Sequence, residues 1–253
     1  MLTADGISFE YGNKGAPLLS LCDVTMYVEA GEIVGLVGRS GTGKSTLARI
    51  LSGLLRPHVG QVCYNGLMVI QPEAQVAYVA QDYQRAVLPW LTVKRNIELG
   101  RYMTKYPRHS LSSVDEVAEE LGIQELLGVH PPGLSGGQIQ RVQIGRALYA
   151  GVQYLILDEP TTSLDLEFRH LFQEILGRIT QQRQIGVLLV THEIDDAVLL
   201  SKRLYVMTKD GNGRASLREE QGYGVVGESR DKALDSSRFR EAYRCVYKKM
   251  FEL

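Results

Sequence analysis

The sequence has few cysteines and no excess of charge. Lysine and arginine together number 28, and aspartate and glutamate number 29, so the formal net charge is −1. Such a balance gives no broad positive field that would attract nucleic acid. The three cysteines, Cys22, Cys63 and Cys245, form no CxxC pair. An odd, scattered set argues against a disulfide framework or a zinc site, and for a reducing compartment.

Long hydrophobic runs are also missing. No apolar stretch approaches the roughly 20 residues that are needed to cross a bilayer. The first residues, MLTADGISFEYG, lack the basic start and apolar run of a signal peptide. We therefore expect a soluble, cytosolic protein that reaches a membrane only through a partner. Its 253 residues, 44% of them hydrophobic, suffice for one large domain or two modest ones.

The hydrophobic pattern predicts an α/β fold. Short apolar runs followed by polar residues and helical patterns are typical of parallel strands with ligands at their carboxyl ends. Four such runs are present, namely EIVGLV at 32–37, VAYVA at 76–80, YLIL at 154–157 and VLLV at 187–190. They predict a buried parallel sheet.

The remaining segments suggest how this single domain is divided. Residues 1–31 alternate loosely and predict short antiparallel strands, whereas 90–150 has helical spacing and predicts an inserted helical subdomain. We therefore expect an α/β core, with its antiparallel part, made of 1–89 and 151–208. Residues 209–253 form a C-terminal tail.

The tail is polar at first and ends in an amphipathic pattern. A turn is predicted at KDGNG, residues 209–213. The helix that ends the tail is expected to pack on the core. Its apolar face consists of Phe239, Tyr243, Val246 and Met250.

A glycine-rich loop follows the first apolar run. It reads GRSGTGKST and fits the P-loop pattern G-x-x-x-x-G-K-[ST] between a predicted strand and a helix predicted from about Lys44 to Leu55. Glycines let the backbone turn its N–H groups toward phosphate oxygens. Lys44 then supplies positive charge to the outer phosphates of a nucleoside triphosphate, and Ser45 offers a hydroxyl to Mg²⁺. The expected nucleotide-binding residues are Gly38, Arg39, Ser40, Gly41, Thr42, Gly43, Lys44, Ser45 and Thr46.

Polar residues at three further strand ends extend this site. Asp158 is placed to hold Mg²⁺ through water, and Glu159 to orient or deprotonate the attacking water. His192, after VLLV, can donate a hydrogen bond to the γ-phosphate, and Gln81, after VAYVA, can touch the metal or the water. Each residue alone also fits a structural role. Because four strand ends should converge on one crevice, a shared catalytic role is the favoured interpretation.

A second glycine-rich turn, LSGGQ at 134–138, lies in the predicted helical segment. Ser135 can cap the following helix, and Gly136 and Gly137 expose N–H groups where the helix dipole favours negative charge. An ordinary helix start would look the same. Since the P-loop leaves one side of the triphosphate open, we expect Ser135 to Gln138 to bind the nucleotide of a second chain. Two head-to-tail chains would then share two ATP molecules, which join them until hydrolysis.

Taken together, these motifs resemble those of ABC transporter ATPases. Gln81, LSGGQ, LILDEP, SLD at 163–165 and His192 follow the P-loop in the order and spacing of that family, over nearly the whole chain. Gly145 stands where alanine is more usual in the family. The hydrolytic positions carry the expected residues, so the resemblance implies an active ATPase that uses ATP and Mg²⁺.

The resemblance also implies roles for individual residues. Glu159 matches the catalytic base and His192 the switch histidine. Asp165 matches the loop that crosses the dimer interface beside the γ-phosphate. Tyr11 matches the aromatic residue that stacks on adenine, with an ordinary strand-face tyrosine as the alternative.

The stretch LPWLTV at 88–93, followed by NI, resembles importer ATPases for nitrate, sulfonate, taurine and related solutes. In that subgroup the region receives a short helix of the membrane permease, so Leu88, Trp90 and Leu91 would form an apolar docking surface. A buried loop with a core tryptophan is the alternative. The implied partners are permease subunits, a second ATPase subunit in a homodimer, and an extracytoplasmic solute-binding protein. The implied location is the cytoplasmic face of the inner membrane, as a peripheral protein.

Two other classes stay open. An exporter ATPase with a separate membrane subunit shares every catalytic motif and differs in the partner. A non-transport ABC ATPase acting on DNA or ribosomes usually has a coiled-coil insertion, two cassettes or basic arms, and the sequence has none of these. TTSLD, at 161–165, departs from the version associated with the nitrate and sulfonate subgroup, which weakens the link to that substrate class.

Overall fold

The computed structural model describes residues 1–11, 19–81, 86–103, 113–162, 166–224 and 230–251. Within these ranges it is a mixed α/β fold built on a ten-stranded sheet. The strands are β1 (Leu2–Tyr11), β2 (Leu19–Val28), β3 (Ile33–Gly38), β4 (Val59–Tyr64), β5 (Leu67–Met68), β6 (Val76–Val79), β7 (Tyr154–Asp158), β8 (Gly186–Thr191), β9 (Arg203–Lys209) and β10 (Arg214–Gln221). The helices are α1 (Lys44–Leu51), α2 (Val93–Glu98), α3 (Val114–Glu120), α4 (Gly136–Tyr149), α5 (Leu166–Arg183), α6 (Ile194–Leu200), α7 (Arg230–Asp235) and α8 (Ser237–Phe251).

The sheet has a parallel part and an antiparallel part. Its strand order is β5-β4-β1-β2-β10-β9-β3-β8-β7-β6. Strands β9, β3, β8, β7 and β6 pair in parallel, whereas β5, β4, β1 and β2 pair antiparallel. The predicted α/β class, with a parallel core and an N-terminal antiparallel part, is therefore confirmed.

The burial of the central strands explains why each of them is a continuous apolar run in the sequence. Every residue of β3, β7 and β8 is buried, as expected for parallel strands that are covered on both faces. Their polar residues come where the strands stop. Since these strands run in one direction, their carboxyl ends, with that of β6, lie at one edge of the sheet.

The segment between β6 and β7 is helical, as predicted. Helices α2, α3 and α4 pack through a shared apolar core that includes Ile97, Leu121 and Val142. Short 3-10 turns connect them at Leu99–Met103, Gln124–Leu126 and Pro131–Gly133. The unusual Gly145 lies on α4 at this contact, where an added Cβ would come 3.1 Å from Leu121 Cδ1. Its missing side chain therefore lets α4 approach its neighbours closely.

Several predicted boundaries were wrong. The two N-terminal strands are ten residues long each rather than short. Helix α1 ends at Leu51, before the predicted Leu55, because Gly53 turns the chain with a φ of 76°. A Cβ at Gly53 would come 2.7 Å from the backbone of Gln71, so this turn requires glycine.

Two hairpins were incompletely predicted. Strands β4 and β5 join at Asn65-Gly66, both with positive φ, a pair that signals such turns. Strands β9 and β10 flank the turn predicted at 209–213 but were not themselves predicted. Beyond them, the predicted C-terminal amphipathic helix is confirmed as α8, which buries Phe239 and Val246 against the core.

A fully buried carboxylate connects two helices to the turn after β7. Asp196 on α6 is 0% exposed and accepts hydrogen bonds from Thr161 Oγ1 at 2.7 Å and Gln173 Nε2 at 2.6 Å. It also accepts from Arg169 Nε at 2.8 Å, and Arg169 in turn reaches Glu193 at 3.2 Å. Because a buried charge must be paired to be tolerated, this contact set fixes how α5 and α6 meet.

We expect Asp196→Ala to lower the free energy of unfolding by about 3 kcal/mol, since it leaves Arg169 and Thr161 without their buried partner. Urea unfolding measures this loss. Asp195→Ala is the matched control, because Asp195 is exposed one residue earlier on α6. It should cost less than about 1 kcal/mol. Equal losses in both variants would contradict the structural role of Asp196.

Candidate active site

The loop between β3 and α1 has a backbone that depends on glycine. Gly41 and Gly43 have φ values of 77° and 109°, in the left-handed region that glycine enters without strain. An added Cβ at Gly38 would come 2.5 Å from Met207 O. This geometry places backbone N–H groups at the start of α1, an arrangement that favours anions.

Lys44 brings a buried positive charge to this loop. Its Nζ donates to Gly38 O at 2.8 Å and to Arg39 O at 3.3 Å, and lies 3.7 Å from Glu159 Oε1. Burial lowers the pKa of Lys44, and the negative charges of Glu159 and Asp158 offset part of this effect. The ammonium group therefore lies between the loop carbonyls and the carboxylates that follow β7.

Each carboxylate oxygen of Asp158 accepts a hydrogen bond from a hydroxyl group. Ser45 Oγ donates to Oδ1 at 3.0 Å, and Tyr78 OH donates to Oδ2 at 2.7 Å. Burial, and then the bond to Asp158, raises the pKa of Tyr78 to about 12, so its hydroxyl keeps its proton. The sequence prediction missed Tyr78. The sequence does contain a clue to this role, because Tyr78 is the one residue of the apolar run VAYVA with a hydroxyl group. A tyrosine hydroxyl in an apolar environment needs a hydrogen-bond partner.

Glu159 and His192 form a close pair. His192 Nδ1 lies 2.7 Å from Glu159 Oε2, which also accepts from Thr162 Oγ1 at 3.2 Å. Glu159 has a φ of 52°, uncommon for a residue with a side chain, and its N–H donates to Val190 O at 2.8 Å. This turn brings the Glu159 carboxylate against the residue that follows β8.

Most of these side chains line one crevice of about 420 Å³. Asp158 and Tyr78 do not line it, and Asp158 is connected to it through its hydrogen bond from Ser45. The crevice brings together residues that the sequence predicted from four strand ends, and both Glu159 and His192 face it. The lining consists of Ser40, Gly41, Gly43, Lys44, Ser45, Thr46, Gln81, Glu159 and His192. The convergence of the strand ends is thus present in the structure, while the role of each residue stays a prediction.

Three predicted loop residues do not line the crevice. Gly38 ends β3, and Arg39 is exposed. Thr42 is buried and donates through its hydroxyl to Arg39 O at 2.9 Å. These three residues belong to the loop but do not form the side of it that faces the crevice.

Two other predicted nucleotide contacts lie apart from the crevice or outside the described residues. Tyr11 ends β1, is 37% exposed, and packs edge-on against Phe9 with ring centroids 4.8 Å apart. It does not line the crevice. Asp165 lies outside the described residues.

The second glycine-rich turn begins α4 and does not line the crevice either. Ser135 Oγ accepts from Gln138 N at 3.4 Å, and Gln138 Oε1 accepts from Ser135 N at 2.8 Å. The predicted cap by Ser135 is confirmed, and Gln138 completes a reciprocal capping box. Gly136 and Gly137 follow in the first turn, where N–H groups have no intrahelical acceptor.

Comparison with known proteins decides the family. The family model described as ABC transporter matches residues 21–162. The chain belongs to the ABC transporter family. It is an ATP-binding subunit that hydrolyses ATP, as the sequence predicts.

Two curated relatives and one solved structure illustrate the likeness of this ABC ATP-binding subunit. It is 39% identical over 189 residues to the aliphatic sulfonates import ATP-binding protein SsuB 1 of Xanthomonas axonopodis pv. citri, covering 74% of each chain. It is 36% identical over 244 residues to the nitrate import ATP-binding protein NrtD of Synechococcus elongatus, covering 94% of this chain and 83% of that one. A dimeric ATP-binding cassette in a post-hydrolysis state, bound to ADP and Pi, aligns with a TM-score of 0.72 and 25% identity over 87% of this chain and 98% of that one.

We expect Lys44→Ala to weaken ATP binding by roughly ten- to a hundredfold, because a charge-assisted hydrogen bond to phosphate contributes about 1.5–3 kcal/mol. Equilibrium titration with a fluorescent ATP analogue measures the affinity. Lys202→Ala removes an equal charge from the exposed turn before β9 and is the control. An unchanged affinity in Lys44→Ala would contradict the P-loop interpretation.

Proposed function

We propose that this ABC ATP-binding subunit powers the import of a small solute of the nitrate, sulfonate or taurine type through a separate membrane permease. The identity to sulfonate and nitrate import ATP-binding proteins, along most of the chain, carries this proposal. The stretch LPWLTV, on which the sequence already indicated that subgroup, agrees with it. In the part of the chain that the structure describes, no helix is both long and apolar enough to span a bilayer. In the proposed import system the permease attaches this subunit to the cytoplasmic face of the membrane.

The crevice suits the phosphates of ATP together with Mg²⁺. The backbone of the P-loop and Lys44 would bind the phosphates. Ser45 Oγ and Asp158 Oδ1 lie 3.0 Å apart, and with Gln81 they supply the oxygen donors that Mg²⁺ prefers. When bound, the metal neutralises charge on the phosphates.

Glu159 and His192 are placed to act on the hydrolytic water. The Glu159 carboxylate would accept the proton of a water that is positioned in the crevice. His192 Nδ1, 2.7 Å from Glu159 Oε2, would fix the orientation of that carboxylate. The ring of His192 lines the crevice as well, and we propose that it also contacts the γ-phosphate. The left-handed turn at Glu159 supports this assignment, because such backbone strain is concentrated at functional sites.

The LSGGQ turn of a second copy would complete the site. Ser135 to Gln138 begin α4 and do not line the crevice of their own chain. The N–H groups of Gly136 and Gly137, in the first turn of α4, and the helix dipole are nevertheless suited to a phosphate. The dimeric cassette among the structural relatives supports a head-to-tail pair with a nucleotide at each seam. Asp165 and Tyr11 are proposed to contact γ-phosphate and adenine, respectively.

We expect Glu159→Gln to retain ATP binding, to lose nearly all turnover, and to accumulate an ATP-bound dimer. The amide keeps the shape of the side chain but cannot accept the proton. Light scattering after size-exclusion chromatography with ATP measures the dimer, and phosphate release measures turnover. Glu119→Gln makes the same chemical change at an exposed site on α3 and should behave like the parent.

The second variant of this test combines Glu159→Gln with Ser135→Arg. The bulky cation at the cap should block the dimer while ATP still binds to each chain. A double variant that dimerises as fully as Glu159→Gln would refute the shared site. Parent-like turnover in Glu159→Gln would show that another group is the base.

An exposed apolar segment is the proposed permease-docking surface. Trp90 is 70% exposed, so the alternative of a core tryptophan is wrong. The next residue, Leu91, lines a groove of about 340 Å³ that has both apolar and charged walls. Its other lining residues are Arg95, Glu98, Leu99, Arg101, Tyr102 and Tyr149. Tryptophan is among the residues that most often dominate the energy of an interface. A solute-binding protein would complete the import system outside the cell.

We expect permease subunits to co-purify with the tagged chain from its native membrane, and Trp90→Ala to reduce their recovery about tenfold or more. Mass spectrometry of the complex measures both. Leu54→Ala, an exposed leucine after α1, is the control and should retain the permease. A complex with membrane subunits that exports the solute from loaded vesicles would favour an exporter. Recovery of nuclease or ribosomal proteins would overturn a transport role.

A further inference from the structure

Tyr78 makes a contact that none of the proposed catalytic roles uses. It lies on β6, three residues before Gln81, and pairs with Ile156 on β7. Its hydroxyl donates to Asp158 Oδ2 at 2.7 Å, while Oδ1 accepts from Ser45 at 3.0 Å. Asp158 is buried, so these two donors provide what water would otherwise supply.

The two donors differ in where they lie. Ser45 lines the crevice and Tyr78 does not, so Oδ1 is the oxygen bonded on the crevice side. In the proposed function, the Ser45 hydroxyl also serves Mg²⁺. A serine hydroxyl that coordinates a metal through its oxygen keeps its O–H. Ser45 can therefore still hold Oδ1, while Tyr78 holds Oδ2, the other oxygen of Asp158.

Arg49 on α1 lies near the Tyr78 hydroxyl. It comes one helical turn after Ser45, and its pKa is raised mainly by its interaction with that hydroxyl. A tyrosine hydroxyl can accept one hydrogen bond and donate another. Tyr78 therefore stands between a guanidinium on α1 and a carboxylate at the end of β7.

We propose that Tyr78 is a positioning residue that fixes the Asp158 carboxylate in the orientation that binds Mg²⁺-ATP. This inference rests on the metal site proposed above. Groups that hold the ligands of a metal set both its affinity and its geometry, and their loss commonly costs ten- to a hundredfold in metal affinity. A tyrosine that only fills space beside β7 would have no such effect.

The test compares the full chain with Tyr78→Phe, which removes the hydroxyl and keeps the ring. The probe is Mn²⁺, followed by electron paramagnetic resonance, bound to the chain together with the analogue AMP-PNP. We expect the Mn²⁺ affinity to fall about tenfold or more. The AMP-PNP affinity in EDTA should stay within about twofold of the parent, since no metal is then involved.

Tyr205→Phe is the matched control. Tyr205, on β9, is likewise a strand tyrosine and is more deeply buried than Tyr78. Its hydroxyl accepts from Tyr27 N at 3.4 Å rather than contacting the site. It should leave the Mn²⁺ affinity unchanged. Should Tyr78→Phe fail to fold, Tyr78→Met fills a similar space without the hydroxyl and carries the same expectation.

Asp158→Asn distinguishes a failure of the role inferred for Tyr78 from a failure of the proposed metal site. If Asp158→Asn lowers the Mn²⁺ affinity and Tyr78→Phe does not, Tyr78 is not a positioning residue, although the metal site stands. If neither variant changes it, the proposed metal site itself is wrong. A loss in Tyr205→Phe equal to that in Tyr78→Phe also overturns the inference, because it would reflect general loosening of the sheet.

Discussion

The candidate site depends on the parallel pairing of four buried strands. In the order β3, β8, β7, β6, these strands set Val37 opposite Thr191 and Asp158 opposite Val190. Because the strands are covered on both faces, an unpaired polar side chain inside them would be costly, and polar residues are therefore displaced to the strand ends. The same physical rule that makes the core apolar also gathers the P-loop, the acidic pair and the histidine at one edge.

Polar and charged side chains in this region are paired with one another. Lys44 lies within 3.7 Å of Glu159, and Glu159 contacts His192. Behind them, Asp196 holds Thr161, two residues after Glu159, and Arg169 joins Asp196 to Glu193, which follows His192. The turns that carry the acidic residue and the histidine are thus attached to one buried carboxylate. Their relative position is set by the interior of the protein and not by exposed loops.

Much of this arrangement could be predicted from the sequence, because local patterns encode it. The apolar runs predict the central strands, and the polar residues directly after these runs predict which side chains meet in the crevice. What could not be predicted depends on contacts between distant segments. The bond from Tyr78 to Asp158 exists because β6 pairs with β7, where Tyr78 lies opposite Ile156, a residue 78 positions later in the sequence. Strand β10 is polar and becomes a strand through its pairing with β9.

The exposed docking segment and the LSGGQ turn are connected through the interior. Asn96 is fully buried, and its side chain accepts from Leu88 N at 2.8 Å and donates to Leu88 O at 3.0 Å. Arg146 on α4 donates to Asn96 Oδ1 at 3.0 Å and to Ala86 O at 2.7 Å. The segment that bears Trp90 is therefore hydrogen-bonded to the helix that begins at LSGGQ. In the proposed assembly, a permease that moves Trp90 would move α4 with it, because separating them would leave the buried amide and guanidinium groups without partners, at a cost of several kcal/mol.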